Sequence, residues 1–126
     1  MKTREVKLEG FEKLVTEPGI VFLDFWAEWC GPCRMFAPIF EAAAAKHPDI
    51  VFGKVDTEDQ PELAQAFGIR SIPTLMVFRD GVPVFGQPGM LPARVLEDLI
   101  KKVRELDMDD VKKKLAERQG AAQATS

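Results

Sequence analysis

Ile20-Val21-Phe22-Leu23-Asp24-Phe25-Trp26-Ala27-Glu28-Trp29-Cys30-Gly31-Pro32-Cys33 is the stretch that decides how the chain folds. Its first seven residues are apolar on both faces apart from one carboxylate, the pattern of a strand in the middle of a sheet with helices on either side. Its end opens a helix. From Gly31 or Pro32 to about Lys46, the residues Met35, Phe36, Ile39, Phe40 and Ala43 recur at helical spacing. Pro32 suits the first turn, where its missing amide costs nothing, whereas Pro38 removes one donor and predicts a bend. Cys30 and Cys33, the only cysteines of the chain, therefore stand at a strand-to-helix junction. Two cysteines supply half of a four-ligand structural zinc site, and the lone His47 lies too far along to complete an obvious one. A dithiol at such a junction points to redox chemistry.

Outward from this stretch the pattern alternates. Residues 4 to 8 read as a short edge strand and Gly10 to about Glu17 as a short helix, stopped by Pro18-Gly19. Ile50 to Asp56 is a second internal strand, and Gln60-Pro61-Glu62-Leu63 opens a helix ending near Gly68. Leu75 to Phe78 and Val82 to Phe85 are two strands joined by Arg79-Asp80-Gly81, an Asp-Gly link that favours a hairpin. Leu91-Pro92 leads into a helix whose stripe Val95, Leu96, Leu99, Ile100 and Val103 opposes a charged face. Asp107 offers an N-cap for a further short helix over 107–118, with Met108, Val111 and Leu115 available to dock, and 119–126 reads as a flexible tail. The fold class is α/β: one domain over residues 1–106, then the helical extension and the tail.

Composition bounds the function. A chain of 126 residues with 46% hydrophobic content can bury one real core. A formal net charge of -3 does not describe a nucleic-acid surface, and no stretch approaches the roughly 18 apolar residues of a membrane helix. The charged start Met1-Lys2-Thr3-Arg4-Glu5 does not lead into a secretory leader. A cytoplasmic, monomeric protein with no bound metal or cofactor is expected, and in a reducing compartment an isolated Cys-x-x-Cys is catalytic more often than structural.

Three separated motifs, Trp26-Ala27-Glu28-Trp29-Cys30-Gly31-Pro32-Cys33, Gly68-Ile69-Arg70-Ser71-Ile72-Pro73-Thr74 and Gly89, resemble thioredoxin in order and spacing, over about Val6 to Val103. The resemblance implies a thioredoxin fold: a mixed five-stranded sheet flanked by about four helices, its first three strands parallel and its final hairpin antiparallel. It also implies a protein-disulfide reductase that is recharged by thioredoxin reductase, so that NADPH is used only indirectly.

Roles follow residue by residue. Cys30, at a helix N-terminus where free amides and the helix dipole favour a thiolate, is the expected nucleophile. Cys33, one turn further in, is the resolving thiol, held close enough to act without a second collision. Asp24 is either a satisfied structural carboxylate or, if buried without full pairing, a base with a raised pKa acting on Cys33. The resemblance favours the second and places Lys54 beside it; otherwise Lys54 is an ordinary edge lysine. Gly31 and Pro32 set a stiff turn that favours the dithiol. The resemblance implies a cis bond before Pro73, and Trp29, Ile72, Gly89 and Met90 would frame a flat apolar docking patch where the Ile72 backbone pairs with substrate. Pro88, standing where the family usually has a residue with an amide, departs from the pattern. His47 is read as a capping or solvent-exposed residue. Against a reductase stand two other functions: a partner-binding or holdase module, which would not need a dithiol beside a buried carboxylate, and an exported oxidase or isomerase.

Overall fold

The apolar run and the helix after it form where their residue patterns place them. The computed structural model describes residues 2–124, as β1 (Arg4–Glu5), α1 (Phe11–Thr16), β2 (Ile20–Trp26), α2 (Gly31–Lys46), β3 (Val51–Asp56), α3 (Pro61–Ala66), β4 (Thr74–Arg79), β5 (Val82–Pro88), α4 (Ala93–Arg104) and α5 (Met108–Ala124). One sheet holds all five strands in the order β1-β3-β2-β4-β5. β3 is parallel to β1 and β2, while β4 runs antiparallel to both β2 and β5. A two-residue period sends alternate side chains of β2 to opposite faces. Phe22 joins Phe36, Phe40, Phe52, Leu96 and Ile100 under α2 and α4. Val21, Leu23 and Phe25 join Val15, Val55, Leu63 and Phe78 under α1 and α3. The same alternation puts Asp24 on the α2 side.

Three elements differ from their sequence-based expectations. β1 pairs only at Arg4 and Glu5, and it can approach β3 because residue 53 is glycine: a Cβ there would lie 2.5 Å from Val6 Cγ2 and 3.0 Å from Leu23 Cδ2. β5 continues past Phe85 to Pro88, because β4 still offers partners at Thr74, Leu75 and Met76. The turn-like residues Gly86, Gln87 and Pro88 are tolerated there since β5 is an edge strand. α5 continues to Ala124, over most of the stretch read as a tail; Gly120 apart, residues 119–124 are favourable or neutral in a helix. Residues 125 and 126 lie outside the described residues.

The extension is anchored lightly at its start. Asp107 Oδ1 accepts from the Asp110 amide at 3.2 Å, an N-cap. Val111 and Leu115 face Val82, Val84 and Leu106 across a cleft of about 240 Å³, and Leu115 stays 39% exposed. The junction before α5 is held more firmly: Arg79 Nη1 donates to the carbonyls of Val103 at 2.7 Å, Leu106 at 2.9 Å and Arg104 at 3.2 Å.

Candidate functional site

The chain leaves β2 at Trp26, turns through Ala27 to Trp29, and enters α2 with Cys30 as the N-cap residue. Cys30 has extended backbone angles, its amide donates to the Ala27 carbonyl at 3.2 Å, and its Sγ accepts from the Cys33 amide at 3.2 Å. A free helix-terminal amide thus points at the sulfur, the arrangement that stabilises a thiolate. The two cysteines are joined as a disulfide, and both are buried, Cys30 at 4% exposure and Cys33 at 2%. Gly31 and Pro32 between them are exposed and form the first turn of α2. Arg34 Nε donates to the Glu28 carbonyl at 2.9 Å, which ties the loop to the helix.

The α3–β4 connection closes over this sulfur. Cys30 Sγ lies 3.6 Å from the Ile72 carbonyl oxygen, and the Ile72–Pro73 bond is cis. The Pro73 carbonyl in turn accepts from the Gly89 amide at 2.7 Å, so the end of β5 is fastened to the same loop. Gly89 has φ 97°, a left-handed conformation that a side chain would strain, and open space where its Cβ would stand. Trp29 is 66% exposed, and its indole Nε1 donates to Glu58 Oε1 at 2.6 Å. Between Trp29 and Ile72 runs a groove of about 190 Å³, lined also by Ala64, Ile69 and Arg70. Met90 and Ile72 are both half-buried, Met90 on the α2–α4 core and Ile72 against the dithiol, so the exposed members of the expected docking frame are Trp29 and Gly89.

Asp24 occupies the buried end of the arrangement. It has no exposed surface, and neither carboxylate oxygen has a hydrogen-bond partner. Burial pushes its pKa from 3.8 up to about 7, against the opposing pull of the Lys54 ammonium. Lys54 is its register partner on β3, and the Lys54 Nζ sits 4.8 Å from the centre of the Trp26 ring. Trp26 packs with Ala27, Cys30, Cys33 and Ile72, so the acid's strand and the dithiol share one apolar cluster. Thiol–disulfide exchange draws on a thiolate and on a nearby group that can take up a proton, and a carboxyl with a pKa of about 7 is able to do the second at neutral pH. Among the described residues no group of three or more His, Cys, Asp or Glu side chains could hold a metal ion.

Two connections could not be read from the sequence. Glu58 steadies Trp29 from twenty-nine residues away, and Gly89 reaches back to Pro73; neither partner is marked by any local pattern.

Comparison with known proteins agrees with this geometry. The thioredoxin family model matches residues 2–102. The chain is 59% identical over 120 residues to a putative thioredoxin 2 of Streptomyces coelicolor, covering 95% of this chain and 90% of the relative. Thioredoxin 1 of Synechococcus elongatus is 46% identical over 94 residues, 73% of this chain and 88% of the relative. The solved structure of a mutant thioredoxin from Halobacterium salinarum superposes with a TM-score of 0.76 at 34% identity, over 83% of this chain and 94% of that one.

Proposed function

Since the chain belongs to the thioredoxin family, we propose that it reduces protein disulfides through the Cys30–Cys33 couple by way of a mixed disulfide. The observation that carries this reading is the Cys30–Cys33 couple at the start of α2, where the Cys33 amide donates to the Cys30 sulfur at 3.2 Å; Asp24, an unpaired buried carboxyl on the strand that leads into it with a pKa of about 7, supports the reading as a proton acceptor at neutral pH.

In the reduced protein the Cys30 thiolate attacks one sulfur of a substrate disulfide. A new sulfur–sulfur bond forms, the substrate's own bond breaks, and the first substrate sulfur leaves as a thiolate that is protonated by water. Cys33 then gives its proton to Asp24 and attacks the Cys30 sulfur. The mixed disulfide breaks, Cys30 and Cys33 become the internal disulfide, and the second substrate thiolate leaves. Two electrons pass from the protein dithiol to the substrate. Lys54 tunes Asp24 by its charge, while Trp29, Gly31, Pro32, Ile72, Pro73 and Gly89 hold the substrate segment, with Met90 supporting the loop from beneath. Recharging needs an outside dithiol. A thioredoxin reductase drawing on NADPH is the proposed source, with the cytoplasm as the setting and a monomer as the working form.

Reduction of insulin by the protein, driven by an NADPH-dependent thioredoxin reductase, tests the reading. Turnover is expected for the wild type and none for Cys30→Ser. Equal turnover by the two proteins would overturn it.

A further inference from the structure

The cleft between α5 and β5 has a floor and a rim of different chemistry. Val84 and Leu106, on the β5 side, also pack on the α2–α4 core, so that side is fixed by the fold. Val111 and Leu115 face them from α5, and about 240 Å³ between the two sides stays unfilled. The rim is basic. Lys114 and Arg118, four residues apart and so neighbours on one side of the helix, both line the cleft, and no acid lines it. Lys114 Nζ meets Asp110 at 3.1 Å in an exposed pair of the kind that contributes little, and Arg118 has no ion pair among the described residues. α5 lies beyond residues 2–102, the span that the family model matches. The cleft also stands where Val82 faces Arg79, at the end of β4 away from Pro73 and the dithiol, so disulfide exchange does not account for it.

An aliphatic groove rimmed by cations fits a ligand with an apolar body and an anionic head. A polypeptide of that character is the poorer fit. Its backbone brings N–H and C=O groups that need partners once water is displaced, and Pro83 in the cleft wall has no N–H to give. An alkyl chain needs no such partner. The geometry points to a binding site for a free, unbranched aliphatic carboxylate, its chain lying between Val84, Leu106, Val111 and Leu115 and its head group held by Lys114 and Arg118. This site is independent of the reductase reading.

Amide NMR of the isotope-labelled full chain, titrated with sodium hexanoate, octanoate and decanoate below their micelle concentrations, tests it. Saturable shifts are expected at Val84, Leu106, Val111 and Leu115. The dissociation constant should fall about two- to fourfold per added methylene, fourfold being the value for complete burial and the groove being open on one side. The double variant Lys114→Gln, Arg118→Gln changes two exposed side chains and leaves the floor intact, and it should bind decanoate roughly three- to tenfold more weakly. Decyltrimethylammonium, with the same chain and the opposite charge, should give no saturable shift at these residues. Equal binding of the two head groups would overturn the inference, as would an affinity indifferent to chain length or shifts confined to other parts of the molecule. Tighter binding of a capped peptide of alternating glutamate and leucine would overturn it in favour of a polypeptide partner. The same shifts on concentrating the protein alone would overturn it in favour of a second copy of the chain.

Discussion

The two ends of helix α2 treat a carboxylate in opposite ways. At its N-terminal end Asp24 is fully buried, has no hydrogen-bond partner, and has its pKa pushed up to about 7 by desolvation. At its C-terminal end Asp49 lies at the surface, clasped by Arg104 through bonds of 2.6 and 3.0 Å, and the guanidinium holds its pKa down at about 2. Arg104 also donates to His47 Nδ1 at 3.0 Å, which leaves His47 Nε2 to donate to Glu97 at 2.8 Å. Every polar group of that second cluster has an answer. The first cluster leaves its acid unanswered, and an unanswered acid is one that can take up a proton. The unpaired buried acid stands on the strand that leads into the Cys30–Cys33 disulfide, and the paired one where α2 and α4 are held together.

The contrast can be tested in order of effect. Largest is the loss of chemistry itself: Cys30→Ser should bring insulin reduction down to the uncatalysed background while the circular dichroism of the fold is unchanged. Next comes Asp24→Asn. Below about pH 4 the acid is protonated in both folded and unfolded chains; between about 4 and 7 the unfolded chain loses the proton while the folded one keeps it, so stability falls as pH rises, and above about 7 the loss is complete. Its size is roughly 4 kcal/mol. Urea denaturation on either side of that window should show this fall in the wild type and not in Asp24→Asn, and the variant's single-turnover rate should no longer rise with pH near neutrality. A wild-type stability that is flat across the window would break the comparison. Removal of the chain beyond Leu106 is worth about 1 kcal/mol, since it takes away only the half-buried Met108 and Val111 and the largely exposed Leu115 from the body, and it should leave the exchange rate untouched. Smallest is Arg104→Met. Its pair with Asp49 is exposed, 62% at the Asp49 side chain, so the loss at neutral pH should stay under about 1 kcal/mol. Because the pairing lowers the Asp49 pKa, that contribution is present above about pH 4 and vanishes as pH falls through about 2. A melting-temperature series over pH separates the two carboxylates, as their slopes have opposite sign.

Most of the frame was legible because its signals are local. A lone carboxylate in a run of seven apolar residues marks both the central strand and its odd member, and the strand extends over Ile20–Trp26 as read. Helix α2 likewise runs Gly31–Lys46, with Pro38 inside it. The Asp80-Gly81 link closes the hairpin with positive φ at both residues. What stayed hidden depends on distant partners. His47 caps α2 through its backbone, as its place before Pro48 suggests, but the clasp by Glu97 and Arg104 comes from a helix fifty residues on. The end of β5 looked like loop because Gly86, Gln87 and Pro88 are poor strand residues, and only the register of β4 makes them one. The pairing of Lys54 with Asp24 was implied by resemblance alone; the parallel register of β2 and β3 is its physical cause.

The guanidinium of Arg79 grips the carbonyls of Val103, Arg104 and Leu106 at the far end of β4, whose other end, Thr74, follows Pro73. Six residues of strand separate these ends by about 17 Å. α5 thus departs from the pole opposite the dithiol, and from a rigid mount. A tag, dye or solid support coupled through α5 would stand at the end of the sheet away from the Cys30–Cys33 disulfide, so that the face carrying it is left open to solution.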